Sequence, residues 1–192
     1  AQILTKTKHL AAAIVVKANA KALEKLAKHA AVQQIFPVYD SKPTVAASQE
    51  YIKATPVVQS GTATGAGIKV AVLDSGIDYT HTALGGAGTE AAYDAAFADQ
   101  GPVTWPQGKV IGGYDFINDD PDPIDPLSGG HGTSVAHSVN GIAPDVEFYA
   151  YTVCTGTCPG VAQINALDAA MDPNGDGDLS DRVDVVNMSL GG

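Results

Sequence analysis

The chain has 192 residues, 45% of them hydrophobic and 17% charged, with a formal net charge of −10. That composition excludes a disordered chain, and no apolar run approaches the roughly 20 residues that a membrane helix needs. The acidic balance argues against nucleic acid as a partner, because phosphate binding needs a basic face.

The charge is unevenly spread. Residues 1 to 53 hold eight of the eleven basic residues and only three acids, Glu24, Asp40 and Glu50, whereas the rest holds three bases and eighteen acids. Such a shift suggests two units, with the basic one resting on the acidic one or each separately solvated.

Residues 11 to 18 read as a strand, and Asn19 can cap a helix in which Ala22, Leu23, Leu26 and Ala27 recur at helical spacing. Val32 to Val38 read as a second strand, closed by Pro37 and the turn-prone Asp40-Ser41-Lys42-Pro43. A strand, helix, strand module of this size is too small to be comfortably stable alone. Ile68 to Leu73 then form a near-continuous apolar segment with β-branched residues, the pattern of a parallel strand buried on both faces. Asp74 stands at its carboxyl end, where open α/β sheets place their ligands. Residues 86 to 110 and 118 to 130 read as loops rich in Gly, Pro and Asp. Val146 to Val153 and Val183 to Met188 read as strands with a helix, Val161 to Met171, between them, which makes a βαβ unit.

Three segments carry chemistry: Val70-Ala71-Val72-Leu73-Asp74-Ser75-Gly76-Ile77-Asp78, Gly130-His131-Gly132-Thr133-Ser134-Val135-Ala136 and Asn187-Met188-Ser189-Leu190-Gly191-Gly192. An acid that orients a histidine must be held rigidly, and a strand end beside a glycine turn does this. Gly130 and Gly132 leave the imidazole of His131 room, and His131 opens a helix. Taken alone, Asp74 could be a turn former or a strand-end phosphoacceptor, and His131 a helix cap. Together these segments resemble the aspartate, histidine and substrate-strand motifs of the subtilisin-like serine proteases, the subtilases. The first 43 residues resemble, less specifically, the second half of that family's inhibitory propeptide.

The resemblance implies an α/β fold: a partial parallel-sheet subtilisin-like domain over residues 44–192, preceded by a small α+β propeptide-like module over residues 1–43, with a self-cleavage junction between Asp40 and Gln49. It implies that Asp74 holds the tautomer of His131, that His131 acts as general base and then general acid, and that Ser189, Leu190 and Gly191 pair with substrate backbone. Expected partners are protein or peptide substrates, with the chain's own propeptide as intramolecular inhibitor; neither nucleic acid nor membrane is expected. The family's nucleophile motif and oxyanion asparagine do not occur in these residues, and Ser134 sits too close to its base on one helix to serve. The chain is therefore expected to be the amino-terminal portion of a secreted endopeptidase, inactive alone, its export resting on a leader absent here. The alternative is a non-catalytic calcium-binding pseudoprotease or a protease-inhibitory module.

Two further signals stand apart. Asp172, Asn174, Asp176 and Asp178 place oxygen ligands at alternate positions, with Gly177 sixth, as in the first half of a calcium loop. Val183 stands where a closing Glu is usual, so Asp181 or Asp184 would complete the shell. Cys154 and Cys158, with three residues between them, allow a small disulfide loop in an oxidising compartment. His81 reads as a structural hydrogen-bonding residue, Ser75 as a turn hydroxyl, and Asp119, Asp120, Asp122 and Asp125 as a solvated loop.

Overall fold

The computed structural model describes residues 1–6, 14–37, 50–126 and 130–190. The chain divides into two compact units, Ala1–Pro43 and Thr44–Gly192.

In the first unit, β1 (Gln2–Lys6) and β2 (Ile14–Lys17) pair antiparallel, and α1 (Ala20–Ala27) follows. Asn19 caps α1, its side-chain oxygen accepting the N–H of Ala22 at 2.9 Å. This satisfies one of the helix donors that have no intrahelical partner. The second strand expected at Val32 to Val38 does not form over its described part, residues 32–37. A strand needs a partner ladder, and β2 takes β1 as its partner instead. Pro37 lacks an N–H to offer, and Phe36 remains 68% exposed. Residues 11–13, Val38, the turn at Asp40 to Pro43 and the junction expected between Asp40 and Gln49 lie outside the described residues.

The second unit carries α2 (Thr55–Ser60) and is built on a four-stranded parallel sheet. Its strands are β3 (Lys69–Asp74), β4 (Val110–Asp115), β5 (Glu147–Thr152) and β6 (Val185–Asn187), in the spatial order β4-β5-β3-β6. The helices are α3 (Glu90–Ala98), α4 (His131–Ile142) and α5 (Gly160–Met171). Because successive strand residues point to opposite faces, β3 feeds two cores. Val70 and Val72 pack with Phe148, Ala150, Leu84, Tyr93 and Ala136 on one face. Ala71 and Leu73 pack with Tyr151, Val153 and the α5 alanines Ala162, Ala166 and Ala170 on the other. The four-residue spacing of those alanines lets α5 lie close to the sheet.

One helix corrects the reading of residues 86 to 110 as loop. The nine residues of α3 are alanine-rich and capped by Thr89, whose hydroxyl accepts the Ala92 N–H at 3.2 Å. Flanking Gly and Pro mask that helix in the composition. No element is expected at residues 111 to 117, yet β4 runs from Val110 to Asp115, with Gly113 placed where a side chain would meet the Ala150 carbonyl oxygen at 2.2 Å. Glycine stands there because the neighbouring strand comes close. The last strand is also shorter than expected, three residues in place of Val183 to Met188.

The outer face of α5 carries Val161 at 71%, Ile164 at 67% and Met171 at 46% exposure, and Val185 on the edge strand β6 is 49% exposed. Apolar faces and open strand edges of this kind drive association. The 192-residue chain taken alone is expected to self-associate, and Val161→Lys with Ile164→Lys to shift it toward monomer. Sedimentation velocity checks this, and a monomeric wild-type chain would contradict it.

Candidate active site

Asp74 ends the central strand β3 and is 1% exposed. Its backbone carbonyl accepts the N–H groups of Val153 at 2.8 Å and Cys154 at 3.1 Å, so the strand end is fixed by main chain. One carboxylate oxygen accepts the Ser75 N–H at 2.7 Å. Both oxygens face Nδ1 of His131, at 2.7 and 2.9 Å. A carboxylate can only accept, so Nδ1 carries the proton and the free lone pair of the neutral ring lies on Nε2. The histidine side chain is 60% exposed against 2% for the acid. The pair therefore has one buried, orienting end and one open, reactive end.

Glycines make this approach possible. His131 is the first residue of α4, and Gly130 before it takes a left-handed conformation with φ of 55°. A Cβ on Gly132 would lie 2.1 Å from the Gly76 carbonyl oxygen and 3.0 Å from Asp74 Cβ. Any side chain there would force the helix start off the strand end. Gly76 itself has φ of 108°, and a Cβ on it would meet the Pro123 oxygen at 2.5 Å.

The acids of residues 119 to 125 do not form the solvated loop expected of them. Asp119 is exposed, but Asp122 is 2% and Asp125 1% exposed. The Pro-rich segment folds back over the turn after β3, with the Ile77 N–H donating to the Pro123 carbonyl at 3.0 Å. Asp122 accepts from the Tyr79 hydroxyl with both oxygens at 3.0 Å and from the Ile124 N–H at 3.0 Å. Asp125 accepts from the Ser75 hydroxyl at 2.8 Å and from the Thr133 hydroxyl and N–H at 2.6 and 2.9 Å. Burial pushes Asp122 up to about 6 against the pull of the Tyr79 and Ile124 donors. Burial also raises Asp125, opposed by the Thr133 and Ser75 hydrogen bonds. Sequence reasoning missed both, and Ser75 is more than the turn hydroxyl it resembles.

Other candidates lie elsewhere. The Ser134 hydroxyl donates to the Gly130 carbonyl at 2.9 Å within its own helix, and His81 Nδ1 accepts the Ala83 N–H at 3.2 Å. Ser189 is exposed and donates to the Asn187 side chain at 2.9 Å; Leu190 packs on the α5 side of the sheet. Neither belongs to a strand, and Gly191 lies outside the described residues. Cys154 and Cys158 are joined by a disulfide, with Cα atoms 4.2 Å apart.

In the acidic loop, Asp172 accepts the N–H groups of Asp176 and Gly177 at 3.1 and 2.9 Å, and Asp181 Oδ2 accepts the Asn174 N–H at 3.2 Å. The other Asp181 oxygen, Oδ1, is buried without a hydrogen-bond partner. Asp184 is committed elsewhere, accepting the Lys69 N–H at 2.9 Å at the start of β3. Among the described residues no three His, Cys, Asp or Glu side chains converge to hold a metal ion.

Comparison with known proteins gives the following. The model of the subtilase family matches residues 65–192. A thermophilic serine proteinase of Bacillus sp. (strain AK1) is 37% identical over 136 residues, 65% of this chain and 26% of that protein. Subtilisin E of Bacillus subtilis (strain 168) is 30% identical over 193 residues, 95% of this chain and 42% of that protein. The chain thus spans less than half the length of either relative. A crystal structure of a cold-adapted subtilisin-like serine proteinase aligns with a TM-score of 0.42 and 26% identity, covering 58% of this chain and 34% of that one.

Asp122 gives a test of the buried acids. An unfolded Asp titrates near about 3.9, and the folded one at about 6. Between those values the folded state holds a proton that the unfolded chain has released. Its contribution to stability is therefore present below about pH 4 and lost as the pH rises through about 6. Wild type is expected to lose melting temperature relative to Asp122→Asn across that window, and parallel melting curves against pH would contradict it.

Proposed function

Because the chain belongs to the subtilase family, we propose that Asp74 and His131 are the acid and base of a serine endopeptidase that hydrolyses peptide bonds in proteins. The 2.7 Å hydrogen bond between the buried Asp74 and His131 Nδ1 carries this reading. Nε2 of His131 takes the proton of the attacking serine hydroxyl as the acyl-enzyme forms, and returns it to the departing amine. The imidazolium formed in between is stabilised by the Asp74 charge, which also keeps the ring in the Nδ1–H tautomer. Neither Ser75 nor Ser134 supplies the nucleophilic hydroxyl, since they donate to Asp125 and to the Gly130 carbonyl. The segment around Ser189, Leu190 and Gly191 pairs with extended substrate backbone, as befits an enzyme that must grip many sequences.

Residues 1–43, with seven lysines against two acids, act as an inhibitory propeptide toward the acidic catalytic unit. The disulfide between Cys154 and Cys158 suits an oxidising, extracellular compartment. Asp172, Asn174, Asp176, Asp178 and Asp181 hold a calcium ion that orders the loop before β6. The buried Asp181 Oδ1, which has no hydrogen-bond partner, supports this, because a buried carboxylate oxygen without a donor is costly. Calcium here supplies stability and no chemistry.

Two experiments test these roles. In a catalytically competent form of the protein, Asp74→Asn should lower kcat by about 10⁴-fold, the scale seen when a triad acid loses its charge; wild-type kcat in that variant would sink the assignment. The 192-residue chain alone should neither cleave a fluorogenic peptide nor take a fluorophosphonate label. For the loop, calorimetry should show calcium binding that Asp181→Asn weakens at least tenfold, together with a calcium-dependent rise in melting temperature. No heat and no rise would remove calcium from the account.

A further inference from the structure

We propose that Asp125 is a positioning residue, a buried carboxylate that locks the strand end carrying Asp74 to the helix start carrying His131 through the hydroxyls of Ser75 and Thr133. The inference rests on reading Asp74 and His131 as an acid–base pair.

Asp125 touches neither member of the pair. It holds the residue after the acid and the residue two beyond the histidine. Its Oδ1 accepts the Ser75 hydroxyl at 2.8 Å, and its Oδ2 accepts the Thr133 hydroxyl at 2.6 Å and the Thr133 N–H at 2.9 Å. The Asp125 backbone is itself anchored, its carbonyl accepting the Tyr93 hydroxyl of α3 at 3.0 Å.

The direction of each bond matters. An ionised carboxylate only accepts, so both hydroxyl protons must point at Asp125. The hydroxyl oxygens are then left to accept in turn. Ser75 Oγ accepts the Gly132 N–H at 3.0 Å, and Thr133 Oγ1 accepts the Asp78 N–H at 2.9 Å. One acceptor thus sets the orientation of two hydroxyls, and these bind the β3 turn to α4 from both sides.

The network also caps the helix. The first N–H groups of a helix have no intrahelical partner, and Gly130 has no side chain to offer them. The Gly132 N–H goes to Ser75 and the Thr133 N–H to Asp125, so the turn of helix bearing His131 is closed by residues that also hold the turn following Asp74. A negative charge at this end of α4 is favourable as well.

Asparagine at position 125 keeps the shape and breaks the logic. Its single acceptor oxygen cannot serve both sides, and its NH₂ faces a group that must donate. If that hydroxyl reverses, its proton meets the Gly132 or Asp78 N–H. Either way, one tie between strand and helix is lost.

The test is magic-angle-spinning nitrogen-15 NMR of the histidine-labelled 192-residue chain, a method indifferent to its state of association. At a pH where His131 is neutral, wild type should show it as a single Nδ1–H tautomer, and Asp74→Asn should abolish that signature. Asp125→Asn should convert it to a tautomer mixture while His81 and His137 keep their shifts. Thr133→Val should do the same in part, and Thr133→Ser should restore the single tautomer. A single tautomer retained in Asp125→Asn overturns the proposal. Should Asp125→Asn fail to fold, indistinguishable spectra for Thr133→Val and Thr133→Ser overturn it. A tautomer mixture in wild type would defeat the Asp74–His131 pair itself, and with it the proposal.

Discussion

A carboxylate buried at the end of a parallel strand must find donors, and here the principal one is a histidine ring brought in by the first residue of a helix. The Asp74–His131 contact places two constraints on the rest of the unit. The strand end has to be rigid, which β5 ensures by pairing with β3 as far as Asp74 while the two cores bury its faces. The helix start has to approach within van der Waals distance of the strand end, which only a glycine at 132 permits. Gly132 is thus a packing requirement, and Gly130, at φ of 55°, a conformational one. The asymmetry of exposure across the pair follows from the same geometry: the acid is enclosed by the sheet, and the ring projects beyond it.

Around this contact the protein concentrates buried negative charge. Asp74, Asp122 and Asp125 are each at most 2% exposed and lie on or beside the turn that follows β3. Ionised carboxylates in such positions cost several kcal/mol unless hydrogen bonds compensate. The compensation is visible in the donors: Ser75 and His131 for Asp74, Tyr79 and Ile124 for Asp122, and Ser75 and Thr133 for Asp125. At Asp122 burial outweighs the Tyr79 and Ile124 donors, and the acid is pushed up to about 6. The Pro-rich segment that carries Asp122 and Asp125 therefore works as an inner lining of the site.

The strand bearing Asp74, the helix opened by His131 and the β5-α5-β6 unit could be read from the chain because each rests on local pattern. An unbroken apolar run announces a strand buried on both faces, and apolar spacing announces α5. Asp125 could not be read this way. Its partners are 50 and 8 residues distant, and the composition around it, Asp-Pro-Ile-Asp-Pro, is that of an exposed loop. What buries it is the return of the segment over the β3 turn, a tertiary event. The helix at Glu90 was hidden by the glycines and prolines on either side, and β4 by two glycines that serve close strand approach. The strand expected at residues 32 to 38 does not form over 32–37 for the opposite reason, since local β propensity finds no partner ladder there. Calcium remains a matter of pattern plus one orphaned oxygen on Asp181.

The measurement that bears most directly on the account is a crystal structure of the chain at neutral pH, at a resolution that fixes the His131 ring and the hydrogens of its partners. The account requires Nδ1 of His131 to be protonated and within about 3 Å of Asp74, with the Ser75 and Thr133 hydroxyls both donating to Asp125. A His131 ring turned out to solvent, with Asp74 satisfied by other donors, would contradict it.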